Sequence, residues 1–395
     1  MTNDYTVQGF KAGAVVAGLK KNGALDLALI VSDRKAAVAG VFTTNKVRAA
    51  PVILSEKHVE NGKARAIIAN AGNANACTGD PGLNDARRTA DLVSRELGIN
   101  PEDVLVASTG VIGEYLDMDL IAGAIPGLTK ALTPDAVPLA AQAIMTTDSF
   151  PKISSFVGRA GEHAYRIIGI AKGAGMIMPD MATMLCFILS DININSDDLK
   201  RALLSSVETT FNRISVDGDT STNDTVLAMA NGLAGNKDLH GEDYDIFAEG
   251  LRNVMWDLAR MIVRDGEGAT KLVSVEVKNA FSPSDALMAV KTVANSSLVK
   301  TALYGQDPNW GRIMAALGRA EIEMREDRVD IWIGDAQIVA GGLGMGAEAE
   351  KLAAEIMTLK EFSLTVDLHQ GEYHERMFTC DLTHEYVTIN ADYRT

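Results

Sequence analysis

The stretch Lys172-Gly-Ala-Gly-Met-Ile-Met-Pro-Asp-Met-Ala-Thr-Met-Leu-Cys186 joins two apolar runs, Tyr165–Ala171 and Thr183–Leu189. Short runs rich in β-branched residues predict strands, and the glycines and proline between them predict a turn. Thr183 stands where the second strand begins. Two interpretations fit this pattern: a structural hairpin with a β-branched residue in its preferred place, or a hydroxyl that the strand presents rigidly for chemistry.

Further strands and helices alternate irregularly on both sides of this hairpin, which predicts an α/β or α+β fold instead of a regular parallel series. Apolar residues recur at helical spacing over 244–263, and shorter helices are predicted at 85–97, 197–211 (with Ser196 as N-cap), 285–294 and 347–357. The remaining predicted strands are Leu25–Val31, Ala36–Phe42, Ala64–Ala69, Val104–Ala107, Leu272–Val277, Val329–Ile333 and Phe362–Leu368.

Composition and charge exclude several classes of protein. The 395 residues are 47% hydrophobic and 23% charged, as in an ordinary soluble enzyme. The net charge of −15 argues against DNA or RNA as a partner, because few cations are available to replace the counterions of a polyanion. Three scattered cysteines predict neither a disulfide framework nor a structural zinc site. No apolar run is long enough to span a membrane, and the polar N-terminus predicts no signal peptide, so a cytoplasmic location is expected.

Two further segments are candidates for a site. Ser108-Thr109-Gly110 follows a short strand, and its glycine would let a backbone N–H approach an anion or oxyanion closely. The pattern alone favours a plain strand-to-helix turn. Glu267 is flanked by Gly266 and Gly268 after the long helix. Its carboxylate suits a substrate ammonium group, although a solvated residue near a helix C-terminus is the common case.

Taken together, the segments resemble the ornithine acetyltransferase (ArgJ) family of arginine biosynthesis over nearly the whole chain. The matching segments, in order, are Gly23–Leu29, Asn73–Gly79, Ser108–Gly110, Ala143–Asp148, Lys172–Met176, Met181–Cys186, Ser221–Thr225, Ser297–Leu303, Asp307–Arg312 and Asn390–Thr395. Each segment is short, but their common order makes the resemblance specific.

The resemblance implies a layered α-β-β-α core of the self-cleaving aminopeptidase/ornithine acetyltransferase type, with a smaller C-terminal α/β domain. It implies that the precursor cuts itself between Ala182 and Thr183. An α chain of residues 1–182 and a β chain of residues 183–395 would then interlock in one core, with roughly 280–395 as the smaller part. Two cleaved protomers are expected to form an α2β2 heterotetramer.

The resemblance also implies a reaction and a set of residues. Thr183 would be the nucleophile that takes the acetyl group of N-acetylornithine and passes it to glutamate, with Thr109 and Gly110 as the oxyanion hole. Substrate contacts are expected at Thr146, Lys172, Thr183, Glu267, Asn390 and Thr395. By charge, Lys172 suits a carboxylate and Glu267 an ammonium group. No metal and no bound cofactor are expected; acetyl-CoA as a second acetyl donor stays open.

Two alternatives to this function remain at the level of sequence. A self-cleaving N-terminal-nucleophile amidohydrolase or aminopeptidase would use the same threonine and would pass the acyl group to water. A non-catalytic small-molecule binding protein would keep Thr183 as a structural residue and would stay a single chain. The fate of the acetyl group separates the first alternative from a transferase, and the mass of the mature chain separates the second.

Overall fold

The computed structural model describes residues 5–178 and 184–392. The chain divides into two compact units. The first runs to Asn212 and also contains Asp219–Ile262, and the second contains Arg213–Gly218 and the chain from Val263 onward. The smaller C-terminal part expected at roughly 280–395 falls within the second unit.

Strands and helices are numbered along the chain. The strands are β1 Phe10–Val15, β2 Leu27–Phe42, β3 Lys63–Asn73, β4 Val104–Val111, β5 Lys152–Ala160, β6 His163–Lys172, β7 Leu185–Ser190, β8 Ile214–Ser215, β9 Thr225–Ala230, β10 Leu272–Ala280, β11 Asp330–Ile333, β12 Ala336–Ala340, β13 Leu343–Gly344, β14 Glu361–Asp367 and β15 Tyr373–Cys380. The helices are α1 Ala50–Val59, α2 Gly79–Leu97, α3 Met118–Lys130, α4 Val137–Ala143, α5 Ser196–Thr209, α6 Glu242–Arg264, α7 Pro283–Ala294, α8 Ser297–Tyr304, α9 Trp310–Gly318, α10 Ala347–Met357 and α11 His384–Ala391.

The first unit is built on a sheet in the order β4-β3-β2-β9-β7-β6-β5, with β1 paired to β2. Alternate residues of its strands face opposite ways, so both faces are apolar and both are covered by helices. Helices α1, α2 and α3 share one buried cluster with β2, β3 and β4, while α4 contributes to the cluster on the other face. Helix α6 approaches β6 at Gly169, where an added Cβ would lie 2.7 Å from Leu258 Cδ1 and 2.8 Å from Val254 Cγ1.

The second unit is built on a sheet in the order β13-β12-β11-β14-β10-β15-β8. The inward residues of β10, β11 and β14 form one buried cluster with α7, α9 and α10. Each unit is therefore a mixed sheet packed against helices, and the predicted α/β fold class is confirmed. None of the helices described is both long and apolar enough to cross a membrane.

Two local predictions were wrong. The separate strands Leu25–Val31 and Ala36–Phe42 form one strand, β2, because the exposed residues 33–35 interrupt the apolar pattern without ending the extended backbone. The N-cap of α5 is Asn195 and not Ser196, since the Asn195 side chain accepts a hydrogen bond from the Asp198 N–H.

Candidate active site

Two of the predicted site residues meet inside the first unit. Lys172 is the last residue of β6 and Thr109 lies near the end of β4. Lys172 Nζ donates a hydrogen bond to Thr109 Oγ1 over 3.1 Å. Both side chains are buried, with 3% and 6% of their surfaces exposed. A lysine ammonium buried this deeply needs polar partners, and the threonine hydroxyl is one of them.

The contact joins strands that lie far apart in the sheet order. Strand β2 lies between β3 and β9 in this order: it pairs with β3 through Leu27–Val31 and again at Ala36 and Ala37, and with β9 through Ala37–Phe42. The pairing with β3 shifts register between Val31 and Ala36. Such irregularities bend a strand and increase its twist. The hydrogen bond between Lys172 and Thr109 therefore joins the ends of two strands, β6 and β4, that are not neighbours in the sheet.

Gly110 follows Thr109 in a conformation that only glycine adopts without strain. Its φ is +135°. A Cβ at this position would lie 2.3 Å from the Gly72 carbonyl carbon and 2.4 Å from the Asn73 nitrogen. The residue is thus required by the close approach of β3 and β4, and it leaves the backbone beside Thr109 uncovered by a side chain.

Asp148 binds one further predicted contact, Thr146, and the residue that follows Lys172. Its Oδ1 accepts hydrogen bonds from Lys152 Nζ (2.6 Å) and from the Gly173 N–H (2.7 Å), and its Oδ2 accepts one from the Thr146 N–H (2.9 Å). Thr146 is half-buried. Burial alone would raise the pKa of Asp148, but the charges of Lys172 and Lys152 and these hydrogen bonds outweigh burial and lower the pKa to about 2.

Asp224 is a second buried carboxyl group beside the same strands. It is 0% exposed, and its Oδ1 accepts the Met184 N–H over 2.9 Å. Its Oδ2 has no hydrogen-bond partner within 5–178 and 184–392. Burial raises the pKa of Asp224 well above the usual value, against the smaller opposing effects of the Met184 hydrogen bond and the charge of Lys172.

Asn223 ties the segment before β9 to the ends of β3 and β4. Its Nδ2 donates to the Ala74 carbonyl over 2.6 Å and to the Ser108 carbonyl over 2.8 Å. The second of these bonds holds the peptide that leads into Thr109. The Asn223 side chain thus connects the segment before β9 to both β3 and β4.

Glu267 and Asn390 meet in the second unit. Asn390 Nδ2 donates to Glu267 Oε2 over 2.8 Å and also to the Tyr386 carbonyl over 3.0 Å. Glu267 is 9% exposed, so it is not the solvated residue that its place after a helix suggested. Thr383, the N-cap of α11, donates its hydroxyl to the Gly268 carbonyl and holds this turn against the helix.

The remaining predicted residues are not described. Ala182, Thr183 and Thr395 lie outside 5–178 and 184–392. The nearest described residue after Thr183 is Met184, which is buried and whose N–H is bound by Asp224. The roles of Thr183 and Thr395 stay predictions.

Residue-by-residue reasoning on the sequence missed Asp148, Lys152, Asn223 and Asp224. Asp148 and Asn223-Asp224 lie in segments that carry the family resemblance, and that was the available signal. No signal in the sequence pointed to Lys152, because a lysine at the start of a strand is normally exposed to solvent. Among the described residues, no group of three or more His, Cys, Asp or Glu side chains is arranged to hold a metal ion.

Comparison with known proteins places the chain in a family. The ArgJ family model matches residues 11–395. The arginine biosynthesis bifunctional protein ArgJ of Geobacter sulfurreducens is 51% identical over 391 residues, which cover 98% of this chain and 100% of that protein. The protein of the same name from Syntrophotalea carbinolica is 49% identical, with 98% and 99% covered.

A solved structure agrees with these relatives. The crystal structure of arginine biosynthesis bifunctional protein ArgJ from Bacillus halodurans is 43% identical, with a TM-score of 0.50, and the match covers 52% of this chain and 97% of that one. The sequence matches extend over the first and the second unit alike. The resemblance inferred from the ordered segments is therefore confirmed, and the chain belongs to the ArgJ family.

Proposed function

We propose that this chain transfers the acetyl group of N2-acetyl-L-ornithine to L-glutamate, giving L-ornithine and N-acetyl-L-glutamate. Membership of the ArgJ family makes the chain an enzyme of arginine biosynthesis. The observation that carries the finer proposal is the 3.1 Å contact between Lys172 Nζ and Thr109 Oγ1. It sets a cation suited to a substrate carboxylate directly beside a hydroxyl suited to an oxyanion.

The direction of this hydrogen bond supports Thr109 as an oxyanion donor. A lysine ammonium can only donate, so Thr109 Oγ1 accepts from Lys172 and its own O–H proton points elsewhere. The hydroxyl is thereby oriented before any substrate arrives. With the Gly110 N–H it would bind the negative oxygen that develops on the acetyl carbonyl during attack.

Thr183 is the proposed nucleophile. Its Oγ attacks the Ala182 carbonyl, the peptide shifts to an ester, and water releases an α chain of residues 1–182 and a β chain of residues 183–395. The new α-amino group has an ordinary pKa of about 7.7–8. It is therefore substantially neutral near physiological pH and serves as the base for the hydroxyl of its own residue.

The two substrates would react in turn at Thr183. Attack on the acetyl carbonyl of N-acetylornithine expels ornithine and leaves an acetyl ester on Thr183, and glutamate then accepts the acetyl group. Lys172 would bind the α-carboxylate, and Glu267, held by Asn390, the ornithine ammonium. Thr146 and Thr395 complete the proposed contacts. No metal or tightly bound cofactor takes part in this scheme.

A second activity is proposed for the same site. Acetyl-CoA would serve as an alternative donor to Thr183, so that glutamate is acetylated without N-acetylornithine. The name bifunctional, which both Geobacter and Syntrophotalea relatives carry, supports this extension. The working form would be a cytoplasmic α2β2 heterotetramer that binds no nucleic acid.

The mass of the denatured protein tests the mechanism first. The parent should give two fragments of roughly 19 and 23 kDa, because an N-terminal threonine nucleophile exists only after cleavage of the 42.1 kDa chain. Thr183→Ala should stay one chain. An uncut parent, after incubation that allows maturation, contradicts the mechanism and favours a binding protein.

The acceptor is tested on the cleaved protein. With acetyl-labelled N-acetylornithine and glutamate, label should appear in N-acetylglutamate in proportion to the ornithine released. Release of free acetate at the same rate with and without glutamate would identify a hydrolase. Repeating the assay with labelled acetyl-CoA tests the second activity separately.

A further inference from the structure

Lys152 is a buried lysine that the proposed chemistry does not use. It begins β5, and its ammonium pairs with the carboxylate of Asp148 over 2.6 Å, with both side chains 0% exposed. Two charges buried this completely are expensive to desolvate, and such a pair is often no more stable than apolar residues of the same volume. Stability is therefore a weak explanation for this pair, and its location suggests another.

The carboxylate of this pair lies between two proposed substrate contacts. Asp148 accepts the N–H of Thr146 and the N–H of Gly173, the residue directly after Lys172. Strand pairing brings Lys152 opposite Ala171, the residue directly before Lys172. Asp148 is thus bound to the backbone one residue from Lys172, and the charge of Lys172 acts on it, although the two residues are 24 positions apart in the sequence.

The charges of Lys152 and Asp148 decide how strongly Lys172 attracts an anion. Burial raises the pKa of Asp148, but the positive charges of Lys172 and Lys152 both act on this carboxylate and contribute to lowering its pKa to about 2. Asp148 is thus ionised at neutral pH. Lys172, Asp148 and Lys152 then carry one net positive charge. Lys20 interacts electrostatically with Asp148 and Lys172 and also with Asp26, so Lys20 and Asp26 add one charge of each sign. Without Lys152, the charge of Asp148 would cancel that of Lys172.

We propose that Lys152 is a positioning residue that neutralises Asp148, so that Lys172 keeps its attraction for the carboxylate of the substrate. Asp148 remains necessary for its hydrogen bonds to Thr146 and Gly173, and Lys152 removes the electrostatic penalty of placing that carboxylate beside a carboxylate-binding lysine. The proposal rests on the proposed acetyl transfer, in which the α-carboxylate of N-acetylornithine binds Lys172.

The test compares two donors that differ in one charge. N2-acetyl-L-ornithine carries an α-carboxylate, and N2-acetyl-L-ornithinamide carries a neutral amide in its place. The ratio of kcat/KM for the acid to kcat/KM for the amide measures how strongly the site favours the carboxylate. A purely structural defect lowers both values equally and leaves the ratio unchanged.

Lys152→Gln should lower this ratio about tenfold, the size expected when a hydrogen bond to a charged group is lost or cancelled. Lys172→Met should lower it at least as much. The double variant Asp148→Asn/Lys152→Gln removes one charge of each sign and should restore the ratio to within about threefold of the parent. Restoration by a second substitution is not expected of a purely structural pair.

Two controls isolate the effect of charge. Lys152→Arg keeps the positive charge and should keep the parent ratio. Lys300 is another buried lysine, in the second unit, whose Nζ donates to Thr379 Oγ1 over 2.9 Å and also to the Cys380 carbonyl. Lys300→Met should leave the ratio within about twofold of the parent, even if it lowers the melting temperature.

The outcomes separate this inference from the proposed function. A parent with no activity on N-acetylornithine overturns the proposed function itself. An active parent whose ratio survives Lys152→Gln or Lys172→Met overturns the role of Lys152. If Lys152→Gln yields no folded protein, the double variant Asp148→Asn/Lys152→Gln is the test that remains. An acid-to-amide ratio of kcat/KM tenfold below that of the parent in this double variant contradicts the proposal.

Discussion

Asp148 and Asp224 are two buried carboxyl groups of the first unit, and the charge of Lys172 acts on both. Asp148 is held by an ammonium group at 2.6 Å and by two backbone N–H groups. Asp224 receives the Met184 N–H at 2.9 Å, and its second oxygen has no partner among the described residues. The pKa of Asp148 is consequently lowered, and that of Asp224 is raised.

The difference shows that burial does not decide the charge of a carboxyl group by itself. Both side chains lie out of water, and burial raises the pKa of each. What differs is the number and charge of the donors in contact, since each donor to the ionised form lowers the pKa. The pKa values of two buried carboxyl groups can therefore shift in opposite directions although the charge of Lys172 acts on both.

The largest effect is expected from removing the ionised group. Asp148→Ala leaves the ammonium of Lys152 buried without its carboxylate, which should destabilise the fold by about 3–5 kcal/mol. The free energy of unfolding in urea measures this. Asp33→Ala is the matched control, because Asp33 and Lys11 form an exposed pair that is expected to contribute less than about 1 kcal/mol. Similar losses in both variants would contradict the contrast between buried and exposed pairs.

Thr109→Ala tests the hydroxyl that accepts a hydrogen bond from Lys172. Loss of an oxyanion donor should lower kcat by about 10²–10³, and loss of a partner for the buried Lys172 ammonium should also lower stability by about 1–3 kcal/mol. Thr109→Ser keeps a hydroxyl for Lys172 to orient, and it should retain most of the activity. If the alanine variant is as active as the serine variant, Thr109 only solvates Lys172. Single-turnover acetylation of Thr183 is the direct measurement.

Acid should reveal the ionised state of Asp148. A carboxyl group with a lowered pKa stabilises the fold above its unfolded-state pKa of about 3.9, and this contribution disappears as pH falls through its folded pKa of about 2. Between pH 5 and pH 2 the parent should therefore lose about 2 kcal/mol more stability than Asp148→Asn does. Parallel pH profiles for the two proteins would show that Asp148 is not ionised in the fold.

Asp224→Asn should show a smaller effect of opposite sign. A carboxyl group with a raised pKa favours the fold below its unfolded-state pKa, and that advantage disappears as pH rises through its folded pKa. The asparagine variant lacks this dependence. Its melting temperature relative to the parent should therefore rise from pH 4 to pH 8. A difference between the two melting temperatures that stays constant over this interval would mean that the pKa of Asp224 is not raised in the fold.

Much of the local structure could be predicted from the sequence because its signals are local. The apolar spacing over 244–263 corresponds to α6, Glu242–Arg264, and the predicted strand Tyr165–Ala171 lies within β6, His163–Lys172. The error at the start of α5 had a local cause as well, since Asn195 and Ser196 are both good N-caps and only side-chain geometry chooses between them.

The candidate site was predictable only in part. Lys172, Thr109 and Glu267 are of residue types that suit the chemistry, and the resemblance named them. Neither periodicity nor charge patterning indicated that Lys152 would be completely buried. Its ion pair with Asp148 depends on β5 lying beside β6, and pairing between strands is a long-range choice that local propensity does not determine.

The sequence by itself determined the fold class, the family and the types of residue available for chemistry, because ordered motifs and apolar spacing are properties of the chain. Only the tertiary structure decided which residues contact each other and in which direction the pKa values of the buried carboxyl groups shift. The 3.1 Å contact between Lys172 and Thr109 joins β6 and β4, which are not neighbours in the sheet, and no local signal in the chain predicts it. The opposite shifts in the pKa values of Asp148 and Asp224 depend on the donors that folding brings to each carboxyl group, because the free energy of a buried charge is set by its neighbours.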